Sequence, residues 1–187
     1  MLRPLLLVAL AWPVPGLGQP APERRNWFDD PFFQISNALP DCPVPAGPLI
    51  TEEERRVQAH HRAERGTTCW LAGQCDRPNF YAYDADIAES IKAELKASNR
   101  FARSTLWVTV QGRVVYIEGC VPDPGMAPAL EAFAKAIPNV QQAIALVHAG
   151  GASRPPYRVV LSAAPCAAPS MAAGTARASQ PPRPPRA

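Results

Sequence analysis

The stretch from Asp86 to Val147 constrains this chain most, because two helical and three strand-like patterns follow one another there with almost no residues to spare. Ile87, Ile91 and Leu95 recur every four residues, which predicts a helix with one apolar stripe. Asp86 and Glu89 stand where N-terminal capping residues belong, and Asn99 where the helix should break. Leu106, Val108 and Val110 alternate with Thr105, Trp107 and Thr109, the period of a half-buried strand. After a turn at Gln111–Gly112–Arg113, a returning strand carries Val115, Ile117, Gly119 and Val121 on one face. Val114, Tyr116, Glu118 and Cys120 fall on the other. Met126, Leu130, Phe133, Ala134 and Ile137 trace a second helical stripe. Pro138–Asn139 stops it, and Val140 with 143–147 reads as a third, short strand.

Outside that stretch the chain is hard to fold. It has 187 residues and 23 prolines, more than twice the usual ~5%, yet only Pro122, Pro124, Pro128 and Pro138 fall within 86–147. A formal charge of +3 is too small to argue for nucleic acid or an acidic substrate. Lys92, Lys96 and Lys135 are the only lysines, and a basic side made almost wholly of arginine fits a GC-rich coding sequence better than a phosphate site.

The first residues have the pattern of a secretory signal. Arg3 precedes an apolar run from Leu5 to Trp12 that is shorter than the ~20 residues a membrane span needs. Gly16 and Gly18 then supply small residues before a cut at Gln19. The expected organisation is a signal peptide at 1–18, an irregular extension at 19–83 and a folded unit at 84–149. A tail at 150–187 is expected to be disordered.

Export places Cys42, Cys69, Cys75, Cys120 and Cys166 in an oxidising compartment. Cys166, in the low-complexity tail, is the expected odd thiol. The other four allow three connectivities, of which Cys69–Cys75 is the local choice and leaves Cys42 for Cys120. A zinc site from His60, His61, Cys69 and Cys75 is disfavoured, since adjacent histidines on a helix diverge and the cysteine spacing is too long. There is no C-x-x-C pair for thioredoxin-like chemistry. No cofactor and no metal are expected.

The extension offers two features. Trp27, Phe28, Phe32 and Phe33 are too apolar to stay in water and should dock on something. Thr51 with Glu54 is a capping box that opens a mostly charged helix over 51–65, ended by Gly66.

The sequence Val115-Tyr116-Ile117-Glu118-Gly119-Cys120-Val121, with its hydrophobic–x–hydrophobic–x–Gly–x–Val pattern after a hairpin turn, resembles the signature of the BON domain. The Ile87/Ile91/Leu95 helix before it and Ile137-Pro138-Asn139-Val140 after it extend the resemblance to about a third of the chain. Asn139 stands where the family usually has glycine, and asparagine is the next most tolerant of a left-handed backbone. The hairpin turn reads as one residue longer than the family pattern. The resemblance implies an αββαβ sandwich, two helices on a three-stranded mixed sheet. It also implies attachment to phospholipid surfaces or envelope partners, with no catalytic residues to carry over.

Two helices on one face of such a sheet leave the other face, with Trp107, Thr109, Val114, Tyr116 and Cys120, open. Trp107 and Tyr116 could form a platform for lipid or a partner. Alternatively the upstream aromatics fold back over the sheet with a disulfide at Cys120 as the clamp, which is favoured because both surfaces otherwise lack cover. Tyr157–Ser162 has enough apolar character to extend the third strand. The whole 150–187 tail has no acidic residue, and Arg154, Arg158, Arg177, Arg183 and Arg186 are candidate contacts for anionic headgroups.

The expected function is a non-enzymatic periplasmic binding module that contacts anionic phospholipid or a membrane-associated partner. The alternative is a disulfide-stabilised interaction protein of the periplasm with no lipid role. Neither nucleic acid nor a membrane span after signal removal is expected. Nothing pairs a nucleophile with a base at recognisable spacing, so an enzyme is disfavoured.

Overall fold

A computed structural model describes residues 21–149 and 154–160. Within them the chain is α+β. Strand β1 is Phe32–Asn37, helix α1 Glu52–Gly66, helix α2 Asp84–Ala97, strands β2 and β3 Thr105–Gln111 and Val114–Val121, helix α3 Ala127–Lys135 and strand β4 Gln142–Ala149. Single helical turns at Thr68–Leu71, Phe80–Tyr83 and Pro124–Met126 link them. The sheet runs β1-β2-β3-β4, antiparallel except for the parallel β3–β4 pair.

The expected three-stranded sheet is therefore four-stranded. The added strand, β1, comes from a segment expected to be irregular. Phe33 and Ile35 do alternate with Gln34 and Ser36, but a second phenylalanine and a register shift between Gln34 and Ser36 obscure the period. A third full helix, α1, stands beside the two expected on the sheet. Its capping box is present, with the Glu54 N–H donating to Thr51 Oγ1 at 3.2 Å and the Thr51 N–H donating to Glu54 at 2.7 Å. Helix α2 begins two residues before the expected cap, so Asp86 lies in its first turn and pairs with Arg77.

The core lies between the sheet and helices α2 and α3. Leu106, Val108, Val110, Val115, Ile117 and Val121 point into it, each at most 1% exposed. Ile87 and Ile91 from α2 and Leu130 and Phe133 from α3 meet them, with Phe101 edge-on to Phe133 at 5.4 Å. Burial of this many branched side chains, at about 1.5–3 kcal/mol each, is the main stabilising term.

The β2–β3 connection is a two-residue turn, Gly112–Arg113, with φ of 60° and 63°. A non-glycine residue in that position needs support, and Asp84 supplies it. Its carboxylate accepts the Gly112 N–H at 2.6 Å and the Arg113 N–H at 2.7 Å, while Arg113 Nε donates to the Asn139 carbonyl at 2.7 Å. Asn139 has φ 68°, the left-handed conformation expected of it.

Helix α1 is tied to the sheet by one buried ion pair rather than by an apolar stripe. The Arg62 guanidinium makes a two-pronged contact with Asp30, one prong at 2.7 Å. Gln111 donates to the same carboxylate at 2.7 Å. Phe28 and Tyr81 flank the guanidinium at 3.9 and 4.5 Å.

Candidate functional site

The face of the sheet turned away from the helices carries Thr105, Trp107 and Thr109 of β2, Tyr116, Glu118 and Cys120 of β3, and Leu146 and His148 of β4. The strand registers place Glu118 between Trp107 and Leu146, and Cys120 between Thr105 and His148. This face is covered by two strips of chain. The first, after β1, is clasped by Thr105, whose Oγ1 accepts the Leu39 N–H at 2.7 Å and donates to the Leu39 carbonyl at 2.9 Å. It is then joined covalently through a Cys42–Cys120 disulfide. The second strip is 154–160, which lies along the first. Ala46 N–H donates to the Arg158 carbonyl at 2.7 Å, Val160 N–H to the Val44 carbonyl at 3.1 Å, and the Tyr157 hydroxyl to the Pro43 carbonyl at 2.9 Å.

The cover thus comes from upstream, clamped at Cys120, but it is built of a proline-rich strip and not of the aromatic cluster. Among the aromatics only Phe32 lies on this face, against Gly47. Phe33 packs on the helix side and Phe28 on Arg62, and the Trp27 indole N–H caps the Ile50 carbonyl at 2.9 Å. Residues 157–160 pair with 44–46 instead of extending β4, and so part of the segment expected to be disordered is placed.

Between the strips a cleft of about 290 Å³ remains, with Thr109, Tyr116, Glu118 and Leu146 at its floor and Gln58 and Arg158 among its walls. Burial raises the Glu118 carboxyl above its ordinary range, against the pull of the Arg158 charge. Burial also pushes the Tyr157 phenol up to about 12, and the neighbouring Glu118 charge adds to the shift. Thr109 Oγ1 is buried in the same floor without a hydrogen-bond partner. The cleft can hold a small polar or cationic group but presents no nucleophile next to a base.

The expected binding residues separate. Trp107 is buried at 8% exposure, Tyr116 is half-buried at the cleft, and Arg154 and Arg158 are exposed. Arg177, Arg183 and Arg186 lie outside the described residues, as do Cys166 and residues 1–18, where a signal peptide is expected. Cys69 and Cys75 are joined to each other, and His60 and His61 sit exposed on α1, so those four residues do not converge.

Two features were not anticipated. The loop closed by Cys69–Cys75 holds Trp70 at 48% and Leu71 at 80% exposure, with Ala72, Gly73 and Gln74 exposed beside them. Its signal is present in the sequence as an apolar pair, Trp70–Leu71, inside a short cysteine loop. The other feature is His148 beside Cys120, which follows from the parallel β3–β4 register rather than from any local motif.

A family model, that of the BON domain, matches residues 83–148, the segment from the end of the Phe80–Tyr83 turn to the end of β4. The match includes Gly119 and both strands of the hairpin. No curated protein and no solved structure matches the chain significantly.

Proposed function

With a BON domain at residues 83–148, we propose that this protein is a non-enzymatic module of the bacterial periplasm that binds anionic phospholipid through the Cys69–Cys75 loop. The observation that carries this reading is the exposed pair Trp70–Leu71, held outward by a disulfide-closed turn. Indole rings favour the membrane–water interface, and a leucine at 80% exposure gains by entering the acyl boundary. A stapled loop has already lost most of the conformational freedom that insertion would otherwise remove. The opposite sheet face is a poorer candidate, because Trp107 is covered. Signal removal and export to the periplasm complete this reading, with the arginines of the C-terminal segment adding about 1 kcal/mol each near an anionic surface.

Co-sedimentation with phosphatidylcholine vesicles, with and without phosphatidylglycerol, tests the proposal. Binding to the anionic vesicles is expected, and Trp70→Ala with Leu71→Ala should abolish most of it. Deleting 161–187 should weaken binding without removing it; the deletion must spare 154–160, which form part of the cover. No sedimentation with either vesicle would leave the lipid-independent interaction protein as the better reading.

A further inference from the structure

One end of the covered face concentrates groups that the phospholipid reading does not use. Cys120 is 1% exposed and His148 9%, while Cys42, bonded to Cys120, is half-buried at the edge of the cover. The two sulfurs and an imidazole nitrogen lie within 4.8 Å of one another. His148 Nδ1 faces the Ala149 carbonyl at 3.0 Å. A carbonyl only accepts, so Nδ1 carries the hydrogen and the Nε2 lone pair points inward. Nε2 has two neighbours, both at 3.5 Å: Cys120 Sγ and the Tyr157 hydroxyl. The sulfur has no hydrogen while it is bonded to Cys42, and the hydroxyl makes its shorter bond, 2.9 Å, to the Pro43 carbonyl. A buried lone pair thus faces the Cys120 sulfur, itself bonded to Cys42, with no good donor opposite it.

We propose that, when the Cys42–Cys120 disulfide is reduced, Cys42, Cys120 and His148 form a three-coordinate site for copper(I). The reductant is an external dithiol, which reaches the more exposed Cys42. The S–S bond breaks, the dithiol hands over two electrons and two protons and becomes a disulfide itself, and two protein thiols form. One copper(I) then replaces the thiol protons, which pass to solvent. Two thiolates and one imidazole are a soft donor set. The Nδ1–H···O=C bond is the outer contact that orients a ligating histidine. Three protein donors suit copper(I) better than zinc, whose structural sites use four. The strand register supplies the geometry, since Cys120 and His148 are paired neighbours on β3 and β4 and the cover brings Cys42 to them.

The test uses the full chain with Cys69, Cys75 and Cys166 replaced by serine, so that Cys42 and Cys120 are the only thiols. Circular dichroism before and after reduction checks the fold. Copper(I) is then titrated in competition with bathocuproine disulfonate. The reduced protein should take up one equivalent and the oxidised protein none. Cys120→Ser should lose the site, and His148→Leu should weaken it at least tenfold. Copper-edge X-ray absorption of the reduced, loaded protein should show two sulfur ligands and one nitrogen. Equal uptake by the oxidised protein, no uptake by the reduced one, unchanged affinity in His148→Leu, or a sulfur-only spectrum would each overturn the proposal.

Discussion

Gly119→Ala should be among the most damaging single substitutions in this protein. Gly119 has φ 142°, a backbone conformation that side chains rarely adopt, and it pairs with Leu106 in the middle of the sheet. A Cβ at this position would stand 3.0 Å from Leu106 Cα, 3.1 Å from the Thr105 carbonyl carbon and inside the envelope of the carbonyl oxygen. These are backbone atoms of a paired strand, so relief requires β2 and β3 to separate. Holding alanine in that conformation costs ~1–3 kcal/mol. Overpacking against atoms that cannot swing aside adds ~1–3 kcal/mol. Together they give about 4 kcal/mol, which for a unit of this size lowers the melting temperature by about 15 °C. Differential scanning calorimetry of the two proteins reads the shift directly. Gly125→Ala is the control, because Gly125 is exposed and its nearest neighbour is the movable Asp123 carboxylate at 3.2 Å; it should melt within ~2 °C of the parent. A Gly119→Ala protein that did the same would refute the reasoning.

Three further outcomes follow from the same geometry. Replacing Cys42 and Cys120 by alanine opens a 78-residue loop and should cost about 4.5 kcal/mol by chain entropy, read from urea unfolding midpoints. Arg62→Met should cost about 3–5 kcal/mol because it strands the buried Asp30 carboxylate; adding Asp30→Asn should recover part of the loss, a double-mutant cycle being the measure. Burial raises the Asp84 carboxyl from 3.8 to about 6, against the opposing N–H donors of Arg113 and Gly112. The folded state thus holds the Asp84 proton more tightly than the unfolded state, and this contribution is full below about pH 4 and lost as pH rises through 6. Stability measured by urea titration should therefore increase on the order of 3 kcal/mol from pH 7 towards pH 4, less what the carboxylates with lowered values lose near the acid end. Asp84→Asn should remove most of that rise.

What could be read from the residues alone follows physical periodicity. The α2 and α3 stripes and the β2–β3 alternation are local patterns, each completed within a few turns or a few pairs, and the core they imply is the core observed. Asn139 could be placed because left-handed backbone has a short list of tolerant residues. Strand β1 could not, because its doubled phenylalanine and bulge break a two-residue period within six residues. Of the cover, the Cys120 clamp could be read but not the course of the two strips, whose contacts with each other join residues more than 100 positions apart, as in Pro45 with Val159. Proline-rich segments lack the alternation that announces a strand, and only the surface they meet shows where they lie. Asp84 was passed over for the same reason. A carboxylate that caps a turn 28 residues away leaves no local mark.

The nested disulfides have a consequence for how the chain matures. Cys69–Cys75 lies wholly inside the loop closed by Cys42–Cys120. A chain entering an oxidising compartment from its N-terminus presents Cys42 and Cys69 first, and a bond between them is foreign to the final structure. The native partner of Cys42 arrives only with β3, after helices α1 and α2 and the first half of the sheet have been delivered. Correct oxidation therefore depends on shuffling or on delay. A thiol–disulfide isomerase should raise the yield of native protein more than a simple oxidant does.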